Sequence, residues 1–159
     1  MSRWERWLLN LSTLVVSGTG VVYFGMKYVM ESDDPFSVVN HPWQPLMLDL
    51  HILSSPILIF VLGIIISSHI AKKLRNNNKN NNKLEGRRSG LIALLSFPPM
   101  VISGYLLQTM ANPLLLRLAL IVHLVTGVMF AGCYLIHLII GIRLRQAHST
   151  CRKETRLAA

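Results

Sequence analysis

The chain has 159 residues, of which 52% are hydrophobic and only 14% are charged, and its formal net charge is +9. A mean hydropathy of +0.45 and the clustering of the apolar residues exclude an ordinary water-soluble domain of this length. Because the basic residues flank the apolar runs, the positive charge is a topology signal, and no nucleic-acid partner is predicted.

Four segments are long and apolar enough to cross a bilayer as helices, which takes about 20 mostly apolar residues. They cover residues 7–28, 46–71, 91–110 and 114–142. These runs do not alternate in polarity as the strands of a membrane β-barrel do. The sequence therefore predicts an all-α integral membrane protein, an up-down-up-down four-helix bundle over residues 1–146. A low-complexity cytoplasmic linker is expected at 72–88, and a basic cytoplasmic tail at 147–159.

The positions of the basic residues predict the orientation in the membrane. Three segments hold 14 of the 16 Lys and Arg residues: the amino terminus, the loop between helices 2 and 3, and the tail. A four-helix topology puts all three on one side, and basic loops stay in the cytoplasm. Both termini are therefore expected inside, in the cytoplasmic (inner) membrane of a bacterium. The first segment is interpreted as a membrane helix because no small-x-small cleavage site follows it.

Helices 2 and 4 each contain two histidines, an expensive placement that marks a functional site by default. His51 and His69 are 18 residues apart, and His123 and His137 are 14 residues apart. These spacings put each pair on one helical face, with rises of roughly 27 Å and 21 Å. Like-placed histidines lie at similar depths, so His51 is expected to face His123 in the outer half. His69 is expected to face His137 in the inner half.

Two facing imidazoles at each of two levels suit the two axial positions of a haem iron. Burial in hydrocarbon favours the neutral, ligating form of histidine. No CxxCH attachment motif occurs in the chain, so two noncovalently bound haem b groups are predicted. The iron ligands are expected to be His51 and His123 in the outer site and His69 and His137 in the inner site.

The sequence also offers further candidate residues and other possible chemistries for the histidines. Arg117, six residues before His123, is a candidate to bind the haem propionates. His41, in an outer loop, is the substitute ligand if His51 fails, whereas His148 is expected to be solvated in the tail. A zinc site would gather three or four ligands at one point, which two separate layers do not favour. The rival class is a haem-free small transporter or scaffold whose buried histidines handle protons or metals.

The helical period also predicts which side of helix 2 faces the core. Leu62 lies within about 40° of the direction of His51, whereas Ile64 points about 140° away. Leu62 is therefore expected in the core, and Ile64 is expected toward lipid or a neighbouring subunit.

A faint internal repeat suggests two related helical hairpins. The segment "LHILSSP" around His51 is similar to "VHLVTGV" around His123. The helix before each histidine carries a Ser-Gly pair, in "VVSGTG" and in "VISGYL". Each hairpin is thus expected to supply one ligand to each haem.

Four helices with two histidines on each of helices 2 and 4 resemble a compact di-haem membrane cytochrome b. The similarity is to the cytochrome b561-like and formate-dehydrogenase gamma-type group, and it covers residues 7–142. The resemblance implies electron transfer between the quinone pool and a periplasmic or membrane-bound redox protein, with a quinone as a further candidate cofactor. Because the loops are too short for a catalytic domain, an electron-transfer or membrane-anchor subunit of a larger oxidoreductase is favoured over a stand-alone enzyme, and whether the chain is an enzyme stays open.

Overall fold

The computed structural model describes residues 2–32, 34, 36–66 and 85–157. In this part of the chain all regular structure is helical, with α1 at Arg3–Tyr28, α2 at Gln44–Ile65, α3 at Glu85–Thr109 and α4 at Pro113–Leu157. All four helices are long and apolar enough to cross a membrane, judged by length and composition. The predicted all-α class and its four helices of membrane-spanning length are thereby confirmed.

The third and fourth helices extend furthest beyond the apolar runs that predicted them. The third helix, α3, begins at Glu85, inside the segment assigned to the linker, and α4 continues beyond residue 142 to Leu157. Its stretch of membrane-spanning composition ends at Arg143. Lys, Arg and Glu are good helix formers, so a helix need not stop where its apolar residues stop. The end of predicted helix 2, with His69, and most of the linker lie outside the described residues.

The chain divides into two compact units, residues 1–79 and 80–159, and each contains one antiparallel helical hairpin. In the first hairpin α1 packs against α2, and in the second α3 packs against α4. A capping box starts α1: the Ser2 hydroxyl accepts from the Glu5 amide at 3.1 Å, and the Glu5 carboxylate accepts from the Ser2 amide at 2.8 Å. The Asn40 side-chain amide donates to the Lys27 carbonyl at 3.0 Å and ties the α1–α2 loop to the end of α1.

The core of the first hairpin lies on the stripe of α2 that also carries His51. Leu58 and Ile65 are 2% and 4% exposed, and Leu62 is 7% exposed, whereas Ile64 is 41% exposed. Spacings of three and four residues put the buried positions on one face. The expected burial of Leu62 and exposure of Ile64 are therefore confirmed.

The second hairpin packs a stripe of small residues on α3 against larger residues on α4. Ser89, Ser96 and Ser103 recur every seven residues on α3 and are 9%, 5% and 3% exposed. Small side chains let membrane helices approach closely. The ring of Phe97, which follows Ser96 on α3, lies 5.4 Å from the ring of Phe130 on α4. Phe130 lies seven residues from each of the two α4 histidines, so an aromatic contact fills the space between their levels.

Candidate functional site

His51 on α2 is held by the facing surface of α1. Its Nδ1 lies 2.9 Å from the carbonyl oxygen of Val16. A carbonyl can only accept, so Nδ1 carries the proton and donates this bond. The Thr19 hydroxyl lies 3.5 Å from the same nitrogen, and Gly20 faces the edge of the ring. A Cβ added at Gly20 would stand 2.9 Å from His51 Cε1.

His123 on α4 has the same surroundings in the second hairpin. Its Nδ1 donates to the carbonyl oxygen of Met100 at 2.9 Å, and the Ser103 hydroxyl lies 3.5 Å away. A Cβ added at Gly104 would stand 3.1 Å from His123 Cε1. The two histidines are therefore held by equivalent groups from the first helix of their own hairpins.

His137 meets a third copy of this surface one level further along α4. The Ser89 hydroxyl lies 3.4 Å from its Nδ1, and a Cβ added at Gly90 would stand 3.2 Å from its Cε1. Fourteen residues separate His123 from His137, and fourteen separate Gly90 from Gly104. Because α3 and α4 run antiparallel, fourteen residues back along α3 match fourteen residues forward along α4. Gly90 therefore meets His137 as Gly104 meets His123.

A hydroxyl residue followed by glycine thus stands beside each of three described histidines. We call Thr19-Gly20, Ser89-Gly90 and Ser103-Gly104 the hydroxyl–glycine pairs. At His51 and His123 the accepting carbonyl belongs to the residue four positions before the glycine. The repeat therefore has a different register from the expected one, because Thr19-Gly20 contacts His51 whereas Gly18 has nothing within 4 Å of an added Cβ.

The repeat extends one turn further in both hairpins. Ser12 on α1 and Ser96 on α3 each stand eight residues before the glycine of their pair. Each donates to the carbonyl three residues before it, at 3.2 Å and 3.0 Å, and each is buried. The two hairpins thus share backbone, hydroxyl and glycine positions, which supports the internal repeat suggested by the sequence.

The Nδ1 hydrogen bonds decide the chemistry open to His51 and His123. With the proton on Nδ1, the neutral imidazole carries its lone pair on Nε2. Metal-ligating histidines in proteins nearly always donate the other ring N–H to a carbonyl, a carboxylate or water. Their tautomer and support are therefore those that axial ligation of haem iron through Nε2 requires, so these residues fit the group.

His41, the substitute considered for His51, has the opposite arrangement. Its Nδ1 accepts a hydrogen bond from the Trp43 amide at 3.1 Å, so the neutral ring carries its proton on Nε2. It lies in the α1–α2 loop, before the first turn of α2. The structure therefore gives His41 none of the support that His51 receives.

Arg117 is exposed on α4, about 120° around the helix from His123, and its binding of a propionate stays a prediction. His69 lies outside the described residues, and so does the side chain of His148. Near the end of α1, the Lys27 amine donates to the Tyr23 hydroxyl at 3.0 Å.

The first hairpin has no second histidine level at the spacing seen in the second hairpin. Fourteen residues after His51, α2 carries Ile65, which is 4% exposed. Fourteen residues before Thr19-Gly20, α1 carries Glu5-Arg6, and Glu5 serves the helix cap. In the described residues, the first hairpin therefore has one histidine that contacts a hydroxyl–glycine pair, and the second hairpin has two.

Ser89-Gly90 is the site feature that our sequence reasoning missed. A signal for it was present, because two Ser-Gly dipeptides 14 residues apart on one helix match two histidines 14 residues apart on the next. The carbonyls of Val16 and Met100 carried no signal, because every residue has a carbonyl and only the hairpin register selects which one faces a ring.

Within the described residues, no three His, Cys, Asp or Glu side chains are grouped closely enough to hold a metal ion together. Comparisons with protein-family models, curated proteins and solved structures find no match to this chain.

Proposed function

We propose that the protein is an integral membrane b-type cytochrome that relays electrons across the bilayer through two haems with histidine axial ligands. The observation that supports this best is the Nδ1 hydrogen bond from His51 to Val16, repeated from His123 to Met100. Each bond places the lone pair on Nε2, where iron binds. Histidines prepared in this way, on helices of membrane-spanning length, suit noncovalent haem.

The ligands that we propose are His51, His123 and His137, with His69 retained from the sequence. Haem iron, when bound, supplies the one-electron redox change. The chain would supply the imidazoles, fix the tautomer of His51 and His123 at Nδ1 and carry them on apolar helices of membrane-spanning length. The pairing of His51 with His123 and of His69 with His137 stays the prediction made from the sequence.

The rival proposal, a haem-free proton-handling protein, is less well supported by these contacts. A proton-relay histidine takes a proton at one ring nitrogen and releases one from the other. At His51 and His123 the Nδ1 proton is held by a backbone carbonyl at 2.9 Å. Releasing it would break this hydrogen bond, whose net contribution is about 0.5–1.5 kcal/mol. Ligation leaves this bond in place.

We propose a quinone as a further cofactor, with a candidate binding site in the second hairpin. An apolar cleft of about 310 Å³ lies between α3 and α4, and its lining includes Ser103, Leu118 and Val122. Volumes of about 300–1,000 Å³ are typical of small-ligand sites. Ser103 and Val122 also adjoin His123, so a quinone ring bound there would lie beside an iron ligand.

A substitution that fills the cleft tests whether quinone binds there. Leu118→Trp should slow reduction of the protein by a short-chain quinol while its haem content stays unchanged. Leu135→Trp, on the exposed surface of α4 and outside this lining, is the matched control. Equal rates in the two variants would exclude this cleft as the quinone site.

The charge distribution supports the proposed location, the cytoplasmic membrane of a bacterium with both termini inside. The short loops support a role beside a larger oxidoreductase or a periplasmic redox protein. The test of the function is an optical spectrum of the protein purified after expression with ample haem. We expect reversible α-band absorption in the reduced state and acid-acetone extraction of the pigment. Colourless, folded protein would contradict the proposal.

A further inference from the structure

Glycine stands where the imidazole of each of the three supported histidines meets the neighbouring helix. A Cβ at Gly20 would lie 2.9 Å from Cε1 and 3.1 Å from Nδ1 of His51. At Gly104 the same distances to His123 are 3.1 Å and 3.3 Å, and at Gly90 they are 3.2 Å and 3.3 Å to His137. Real Cβ atoms essentially never approach to 2.9 Å, so any side chain at position 20 would displace the ring.

Other glycines of α1 meet no such constraint. An added Cβ at Gly18, two residues before Gly20, would have nothing within 4 Å, and the same holds for Gly25. The close ring contact therefore distinguishes Gly20, Gly90 and Gly104 from the helical glycines at which a side chain would fit.

The hydroxyl of each pair lies beside Nδ1 of the imidazole that the glycine contacts. Thr19 donates its own proton to the Val15 carbonyl at 2.7 Å, and Ser103 donates to the Pro99 carbonyl at 2.7 Å. Their oxygens therefore face Nδ1 as acceptors, at 3.5 Å. This is long for a hydrogen bond, so the carbonyl carries the main bond and the hydroxyl limits rotation of the ring.

We propose that the three hydroxyl–glycine pairs are positioning residues that set the plane of each iron-ligating imidazole before haem binds. This inference rests on the proposed function. In each pair the glycine leaves space for the ring edge and the hydroxyl restrains rotation, and at His51 and His123 a backbone carbonyl also fixes Nδ1. Preorganised ligands lose less freedom on binding, which raises affinity. The pairs thereby also set the ligand orientation that the iron experiences.

Gly20→Ala and Gly18→Ala form the matched test, because they add the same methyl group to the same helix. We expect Gly20→Ala to weaken haem binding about 10- to 100-fold, the usual range for lost support of a metal ligand. It should also shift the low-spin g value of one haem. Gly18→Ala should leave both quantities at their wild-type values. The shift should be larger for Gly20→Ala than for Gly90→Ala, following the contact distances.

A second pair of variants covers the case in which Gly20→Ala does not fold. Ser103→Ala should shift the g value and midpoint potential of the haem bound by His123, and Ser103→Thr, which keeps the hydroxyl, should restore both. In haem-free protein, ¹⁵N NMR of labelled histidine should show the Nδ1–H tautomer for His123. These readouts would not respond to a role in helix packing alone.

The outcomes separate this inference from the proposed function. If Gly20→Ala and Gly18→Ala behave alike, and Ser103→Ala leaves the g value unchanged in protein that binds haem, the positioning role is wrong and the cytochrome proposal stands. If wild-type protein binds no haem, the proposed function fails first. An Nε2–H tautomer for His123 would contradict the positioning role whatever the haem content.

Discussion

Replacing His137 with alanine should remove one haem and leave the other in place. His137 is separated from His123 by 14 residues of continuous helix, about 21 Å, so its loss does not disturb the His123 contacts directly. The substitution removes the ring and its 3.4 Å contact with Ser89. Most single substitutions cost about 0.5–3 kcal/mol, against a total stability of about 5–15 kcal/mol. The folded protein should therefore persist.

The assay is the ratio of extracted haem to protein in purified, monodisperse samples. We expect the ratio to fall from two to one, and the remaining haem to keep its low-spin spectrum. His41→Ala is the control and should keep both haems, because His41 has the tautomer that does not suit ligation. Loss of both haems in His137→Ala would be resolved by His137→Met, which retains an iron ligand. Two haems retained by stable His137→Ala protein would refute the assignment of His137.

Three further predictions concern packing. Leu62→Trp, at a buried position, should lower haem incorporation and cost about 1–3 kcal/mol, whereas exposed Ile64→Trp should not; equal haem content would mean that α2 faces another way. In unfolding experiments in detergent, Phe130→Ala should lower the free energy of unfolding by about 3 kcal/mol, whereas exposed Phe60→Ala should lower it by about 0.5 kcal/mol or less. Equal losses would mean that Phe130 is not in the core of the second hairpin. Thr13 has a buried hydroxyl without a hydrogen-bond partner in the described residues, so Thr13→Val should raise the melting temperature, and destabilisation would reveal a missing partner.

The membrane helices could be predicted because the bilayer imposes a length on any apolar run that crosses it. Helix ends could not be predicted as well, since the residues that end the apolar run at Arg143 continue the helix to Leu157. The histidine faces follow from the helical period alone. That period placed His51 on the buried side of α2 with Leu62, as the structure has it.

The support of the histidines could be predicted only in part. The small residues of "VVSGTG" were recognised, but choosing Ser17-Gly18 or Thr19-Gly20 requires the packing register of α1 against α2. That register depends on the 15-residue loop between Tyr28 and Gln44, whose conformation is not evident from its residue types. Hydrogen bonds to backbone carbonyls, such as that of Val16, depend on the same register and leave no trace in the sequence.

The central claim is that His51, His123 and His137 bind iron through Nε2. Pulsed electron paramagnetic resonance of the oxidised protein, grown with ¹⁵N-histidine, measures this bond directly. We predict low-spin ferric signals with strong coupling to directly bound imidazole nitrogens, and loss of one such signal in His137→Ala. Haem-containing protein without ¹⁵N coupling, or with signals unchanged when all three histidines are replaced, would contradict it.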